Sequence, residues 1–317
     1  MKTKILICGG TGFIGRNLVE FFAQKKNFKV FATYNIKKKI NIPKVKWIKT
    51  DLRNPKAVRR TVKGMKVLIQ AAATTSGAKD IIEKPQIHVT DNAIMNSYIL
   101  KYSHEHNLKH VIFFSCTVMY PNTKKKLNEN QLILGEKINK KYFGVAQTKI
   151  YIENLCKFYS NIGKTKFTCI RHSNVYGPHD KFDPKKSHFF GANIGRVLNT
   201  QEKFIEIWGN GNEKRDLIHV NDLKNFVSLV IKKQKKQFRI YNCSYGIGNK
   251  VKDVIKKIIY HSKKKIKMKF DISKPSIQTN ILVDSALAHK ELGWKPKISL
   301  NKGIISSIKW YKKNYLN

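Results

Sequence analysis

The spacing of apolar positions changes abruptly between Lys4 and Phe22. Ile5-Leu6-Ile7-Cys8 is an unbroken apolar run, as expected of a strand buried on both faces, and it ends in the glycine cluster Gly9 to Gly15. Beyond it Phe13, Leu18, Val19 and Phe22 recur near helical spacing. Strand, glycine turn and helix therefore succeed one another directly. Further short apolar runs predict strands at 29–33, 45–49, 66–70, 110–114 and 167–171, with helices over 92–106 and from Tyr142 to about Ser160. Strands alternating with helices predict βαβ units with right-handed crossovers. The expected fold class is α/β, a Rossmann-type doubly wound parallel sheet with a smaller mixed α/β C-terminal lobe.

The pattern loosens after Arg171. The stretch HSNVYGPHDKFDPKK is rich in turn formers and is expected to leave the sheet as a loop. A short strand at 239–243 should return to the sheet. This gives a dinucleotide-binding domain over 1–171, joined again by 214–245, and a substrate-binding lobe from 172–213 and 246–317. Ligands should lie between them, outside the carboxyl ends of the strands.

Composition changes this picture in two respects. Lys and Arg total 63 against 20 Asp and Glu, a formal charge of +43, which in principle attracts nucleic acid. Only eight of these are Arg, and the lysines are spread along the chain in short runs such as Lys37 to Lys39 and Lys263 to Lys265. That is a solvated lysine-rich surface rather than a localised nucleic-acid patch, and it should draw in anionic small molecules. The five cysteines are scattered without a metal-binding spacing, there is no signal-like or membrane-spanning apolar run, and the expected compartment is a reducing cytoplasm.

Gly9, Gly12 and Gly15 form G-x-x-G-x-x-G between strand and helix, where glycines permit a tight turn and close approach of a pyrophosphate to the helix N-terminus. Phe13 and Ile14 lie in the same turn. Asp51 and Leu52 after the third strand, and Ala71, Ala72 and Ala73 after the fourth, are further expected cofactor contacts; Asp51 could equally cap a helix. An acid at the end of the second strand would bond the ribose 2′-hydroxyl of NAD. None stands there: Thr33, Asn35 and Lys37 offer a hydroxyl, an amide and a cation, which favours NADP over NAD.

With the segment YGPHD, the pair Ser187-His188, Trp208-Gly209, Arg215-Asp216 and ELGWKP near the end, the chain resembles the extended short-chain dehydrogenase/reductases, the NAD-dependent epimerase/dehydratase family. Within it, the resemblance is to the GDP-L-fucose synthases and covers nearly the whole chain. It implies epimerisation of a 4-keto-6-deoxy GDP-sugar followed by reduction with NADPH, in a homodimer built on the helices that carry Asn92 and Lys149. The 4-keto group acidifies neighbouring carbons, so inversion needs one group to remove a proton and another to deliver one from the opposite face. The resemblance assigns these roles to Cys116 and His188. It also implies a Y-x-x-x-K pair, with Lys149 binding the nicotinamide ribose and Asn92 beside the cofactor. Here the chain departs from the pattern, because Val145 stands where the tyrosine belongs. Tyr142 is the expected substitute, although on a continuous helix it would lie about 10 Å from Lys149 along the axis, at roughly 1.5 Å per residue. The group contacting the substrate carbonyl is Ser115, Cys116 or Thr117. Asn174, Arg196, Trp208 and Arg215 are the implied substrate contacts, Arg215 for its paired donors to diphosphate, with Asp216 and Asp222 capping a helix and orienting it.

Two other readings share this scaffold. One is an NAD-dependent nucleotide-sugar 4-epimerase or 4,6-dehydratase, the latter disfavoured because Met119-Tyr120 lacks the acid pair it needs. The other is a catalytically impaired dinucleotide sensor or nucleic-acid binder, which the missing tyrosine and the charge would allow.

Overall fold

A computed structural model describes residues 1–316 except 76–82, 122, 124, 133–137, 185–186 and 275–279. Its main body is built from β1 (Thr3–Cys8), β2 (Phe28–Tyr34), β3 (Val45–Lys49), β4 (Val67–Gln70), β5 (His110–Cys116), β6 (Lys166–His172) and, much later in the chain, β10 (Phe238–Cys243). They form one parallel sheet in the order β10-β6-β5-β4-β1-β2-β3. The chain order reverses between β1 and β4, so their carboxyl ends open a crevice there.

Helices cover both faces, which is why the central strands read as continuous apolar runs. On one face α1 (Phe13–Ala23) and α6 (Val220–Lys233) set Leu18, Val19, Phe22, Phe226 and Val230 against Ile5, Ile7, Ile112 and Ile170. On the other face α2 (Pro55–Val62), α3 (Thr90–Glu105) and α4 (Phe143–Asn161) set Val58, Met95, Ile99, Ile152 and Cys156 against Leu6, Leu68, Val111 and Phe167. No helix among the described residues is long and apolar enough to cross a membrane.

The smaller lobe has its own core. β7 (Asn174–Tyr176), β9 (Lys214–His219) and β11 (Gly248–Lys250) form a three-stranded sheet, while β8 (Phe204–Trp208) pairs with β12 (Lys267–Asp271). Around them α5 (Phe189–Asn199), α7 (Val251–Ser262) and α9 (Leu300–Tyr311) bury Ile194, Val197, Ile205, Val254, Ile258 and Ile304.

Three features differ from expectation. Asn174–Tyr176 is a strand rather than loop, because it pairs with β9 in register with Leu217 to His219. Lys185 and Lys186, at the end of that turn-rich stretch, lie outside the described residues. The stretch 214–245 does not return as a whole: α6 and β10 join the large sheet, but β9 stays in the small one. Conversely α8 (Ala286–Leu292), assigned by its position to the smaller lobe, buries Ala288, Leu292 and the following Trp294 in the large core. Trp294 meets Phe226 edge to face at 4.8 Å, and its Nε1 donates to Asp222 O at 3.2 Å.

His110 gives the fold a definite response to acid. Gln234 Nε2 donates to Thr168 Oγ1 at 2.8 Å, so the Thr168 hydroxyl proton is free for His110 Nε2, also at 2.8 Å. Burial and then the Lys166 charge push the His110 pKa down to about 3. The folded value lies below the ordinary 6.5, so the unfolded chain binds more protons and stability falls as pH drops through this window. Buried Asp180 and Asp216, raised by burial, act in the opposite sense. They are common to wild type and variant. Urea midpoints measured from about pH 6.5 to about pH 4 should therefore fall less steeply in His110→Gln, the difference amounting to as much as roughly 3 kcal/mol. Parallel slopes would show that His110 is not held neutral.

Candidate active site

Steric contact dictates the glycine turn. A side-chain carbon at Gly15 would stand 2.1 Å from Gly9 O, and one at Gly9, whose φ is +74°, would stand 2.6 Å from Ala72 Cα. Gly9 N donates to Thr33 Oγ1 at 2.9 Å and Gly10 N to Thr33 O at 2.8 Å. Thr33 is buried and its hydroxyl accepts from Gly9, so it shapes the cofactor loop. Helix α1 starts at Phe13 and Ile14 with Gly12 as its N-cap, no capping side chain and no acid in the first turn. Its first N–H groups are open to an anion.

The neighbouring strand ends are organised by side-chain bonds. Ala71 N donates to Cys8 O. Gln70 Oε1 accepts from Ala72 N at 3.3 Å, and Ala73 follows outside any helix or strand. Asn92 is buried and fixes the next residues: its Oδ1 accepts from Thr74 N and its Nδ2 donates to Thr74 O. Asp51 does not cap α2, a task that falls to Asn54. Its carboxylate holds Arg53 at 2.9 Å, which lowers its pKa, while Leu52 is buried. Asn35 and Lys37 are exposed just past β2.

Five groups converge where β5 and β6 end. Lys149, on α4, donates through Nζ to Phe114 O at 2.8 Å and lies over the Phe113 ring. Burial lowers its pKa, and the neighbouring Cys116 and Glu153 raise it in part. Burial raises the Cys116 thiol, with Lys149 acting against it. Tyr142 is not on the continuous helix: it ends a short 3₁₀ turn, Lys140–Tyr142, and caps α4. Burial raises its pKa, while the Arg215 charge lowers it and Cys116 raises it, so both lie within range of its phenol. His188 is the N-cap of α5 and is exposed at the surface, with enough protein packed around it to desolvate it in part. Burial, then Lys181 and His88, push it down to about 4. The fifth group is His172, the register partner of Cys116 across β5 and β6. Its pKa is also pushed down to about 4, by burial first, with the Ser173 carbonyl raising it and Lys149 and His188 lowering it.

The three candidates at the end of β5 separate clearly. Ser115 is fully buried and its hydroxyl has no hydrogen-bond partner among the described residues, Thr117 is buried, and Cys116 alone is only partly buried. Beneath them lies a buried ion pair. Arg171 Nη2 donates to Glu153 Oε2 at 2.6 Å and Nε to Oε1 at 3.0 Å, while Nη1 donates to Tyr120 Oη at 2.8 Å and to Glu129 O at 2.9 Å. Tyr120 in turn donates to Asn242 Oδ1.

The family model for the NAD dependent epimerase/dehydratase family matches residues 5–244. The chain belongs to that family. Its sequence is 26% identical over 317 residues to GDP-L-colitose synthase of Yersinia pseudotuberculosis, covering 97% of both chains. It is 26% identical over 258 residues to GDP-L-fucose synthase of Escherichia coli K12, covering 77% of this chain and 79% of the relative. Its fold matches UDP-glucuronic acid 4-epimerase from Bacillus cereus, solved with UDP-glucuronic acid and NAD, with TM-score 0.85, 20% identity and coverage of 99% and 100%. As a family member the chain is an NAD(P)-dependent enzyme of nucleotide-sugar epimerisation and oxidoreduction.

The epimerase scaffold fits a dinucleotide, since the turn excludes any side chain and presents open helix N–H groups. Gly9, Gly12, Gly15 and the Lys149 ammonium are the groups placed to hold it. Farther out, Arg196 on α5 donates to Glu206 O at 3.4 Å, and Trp208 Nε1 donates to Glu206 Oε1 at 3.0 Å. Asn174 is tied to Asp216 O. Asp216 does not orient Arg215 as expected: it accepts from Ser173 Oγ, Tyr245 N and Gly246 N. Asp222 accepts from Lys297 N and Ile298 N, and His219 caps α6. Sequence reasoning missed His172, Glu153 and Arg171. A charged residue inside an apolar strand was the available signal for Arg171; its partner on α4 was not legible.

The turn offers a direct test of the cofactor site. Gly15→Ala places a methyl against Gly9 O and must open the loop, so calorimetric NADPH affinity should fall at least about tenfold, a loss of 1.4 kcal/mol or more. Unchanged affinity in a folded variant would place the dinucleotide elsewhere.

Proposed function

We propose that this family member is an NADP-dependent epimerase and reductase of a 4-keto-6-deoxy GDP-sugar. One observation carries the reading: His172 links the two groups, as the register partner of Cys116 at the end of β5 and close enough to His188, the N-cap of α5, for that charge to act on it. The two relatives named for GDP-sugar synthesis support the same substrate class.

The nicotinamide supplies a hydride to the sugar's carbonyl carbon when bound. The remaining chemistry belongs to the chain. A carbon beside the carbonyl loses its proton to one of Cys116 and His188 and regains one from the other on the opposite face. Both groups are neutral at neutral pH, the thiol because burial raises it and the imidazole because burial lowers it. A neutral imidazole can accept and a neutral thiol can donate, so the pair suits exchange without a standing charge. Tyr142 presents a protonated phenol beside Cys116 and donates to the sugar's oxygen. Arg215, within reach of that phenol's field, and Arg196 bind the diphosphate, and Trp208 and Asn174 complete the nucleotide side.

The preference for NADP rests on the end of β2, where Asn35 and Lys37 stand without an acid. Lys37 is close enough to Lys181 for its charge to lower the Lys181 pKa, behind the larger effect of burial. Lys181 Nζ is anchored on Thr75 O at 3.3 Å. Two cations facing each other are relieved by an anion such as a 2′-phosphate. A homodimer fits the outer face of α3 and α4, where Ile94, Tyr151, Phe158 and Ile162 are exposed and Ser97 meets Tyr151 at 3.1 Å. The smaller lobe and the compartment of action, expected as substrate-binding and cytoplasmic, complete the reading.

Proton exchange at carbon separates from reduction in a solvent-deuterium experiment. With a 4-keto-6-deoxy GDP-sugar and no reductant, wild type should incorporate deuterium beside the carbonyl. Cys116→Ser and His188→Asn should each slow incorporation by about 10²–10⁴-fold. Incorporation undiminished in the double variant would reject the epimerase assignment and leave a reductase.

A further inference from the structure

Of the five groups that converge at the ends of β5 and β6, His172 has no task in the reaction above. Its position is over-determined. The Cα partnership Cys116↔His172 sets the two side by side on the last rung of the β5–β6 ladder, and partners in a parallel ladder point to the same face of the sheet. The imidazole meets the Phe114 ring edge-on, with centroids 5.9 Å apart. Nδ1 lies 2.8 Å from Ser173 O, and a carbonyl can only accept, so Nδ1 carries the hydrogen. Nε2 is therefore the nitrogen with the free lone pair. The residue is only partly buried. Around it stand Lys149 from α4, His188 from the start of α5 and Cys116 from β5.

Lys149 is the fixed cation of this group, and the helix position four residues before it is occupied by Val145, which can move no proton. We propose that His172 is the catalytic acid–base residue of the oxidoreduction, exchanging through Nε2 the proton of the sugar oxygen at the carbon that is reduced. In reduction Nε2 first takes a proton from solvent; that Nε2–H bond then breaks and the O–H bond forms while the carbonyl carbon takes up the hydride, NADPH being the reductant. The carbonyl becomes an alcohol, and Nε2 is neutral again. In the reverse direction neutral Nε2 takes the alcohol proton. Lys149 favours this neutral form, as burial does, so His172 stands ready as a base and yields its proton readily as an acid. Tyr142 is then a hydrogen-bond donor to the same oxygen and not the group that loses the proton.

The proposal rests on the nucleotide-sugar reading, and the test keeps the two apart. Wild type, His172→Ala, His172→Gln and Tyr142→Phe are first titrated with NADPH by nicotinamide fluorescence, where all four should agree within about threefold, under 0.7 kcal/mol. Single-turnover loss of nicotinamide absorbance with a 4-keto-6-deoxy GDP-sugar is then followed across pH, with and without added imidazole. His172→Ala and His172→Gln should be slowed about 10²–10⁴-fold. Imidazole should restore part of the rate in His172→Ala, whose cavity admits it, and not in His172→Gln. Solvent deuterium should still enter the sugar carbons in both, since Cys116 and His188 are intact. Tyr142→Phe should be slowed less than either and keep the wild-type pH profile. Wild-type turnover matched by His172→Ala, or slowed in it without imidazole rescue while Tyr142→Phe shows the larger loss, would overturn the role of His172 alone. A wild type that binds NADPH but neither exchanges nor reduces the sugar would overturn both readings.

Discussion

The buried ion pair between Glu153 and Arg171 is the contact on which the site depends. Both side chains are almost wholly enclosed, and the pair ties α4 to β6 at the level where the chemistry begins. Glu153 lies one helical turn beyond Lys149, and Arg171 immediately precedes His172. The remaining Arg171 donors reach Tyr120 and Glu129, so the chain leaving β5 after Cys116 is bound to the same guanidinium. Asn242 closes the set from β10, giving N–H to Glu129 and accepting from Tyr120. Removing one member of such a pair leaves an uncompensated buried charge, at a cost of about 3–5 kcal/mol. Lysine, thiol and imidazole thus share one rigid frame.

That frame produces a site in which burial works against the charged form of five titratable groups. Lys149, His172 and His188 are lowered, and Cys116 and Tyr142 are raised, each with desolvation as the leading cause. The exterior is the reverse, carrying a formal +43 over the chain. In the proposed reading an anionic nucleotide sugar would be drawn in by this field and would meet Arg196 and Arg215, while proton exchange would fall to Cys116 and His188.

How much of this was legible in the sequence follows from which forces are local. The strands of the large sheet were readable because burial on both faces writes itself as uninterrupted Ile, Leu, Val and Phe. The glycine turn was readable because a Cβ at Gly15 has nowhere to go. The bond from Gly9 N to the Thr33 hydroxyl was not legible, because it joins two strands and neither segment displays it alone. Asp51 likewise turned to Arg53. The three residues of β7 read as turn, and only pairing with β9 makes them a strand. Helix α8 follows Trp294 into the large core, a choice made by packing against Phe226 rather than by position in the chain. His172 escaped notice for the same kind of reason: its meaning lies in the register that sets it beside Cys116.

The central claim is that this cleft joins NADP to a 4-keto-6-deoxy GDP-sugar for inversion and reduction. The most direct measurement is to incubate the chain with NADPH and the 4-keto-6-deoxy forms of a GDP-sugar and of a UDP-sugar, in parallel with NADH, and to identify the products by proton NMR. The account predicts consumption of NADPH in preference to NADH, with the GDP-sugar converted to a 6-deoxy product inverted beside the reduced carbon. Conversion of the UDP-sugar instead, with NADH as the better reductant or with inversion confined to the carbon bearing the oxygen, would contradict it.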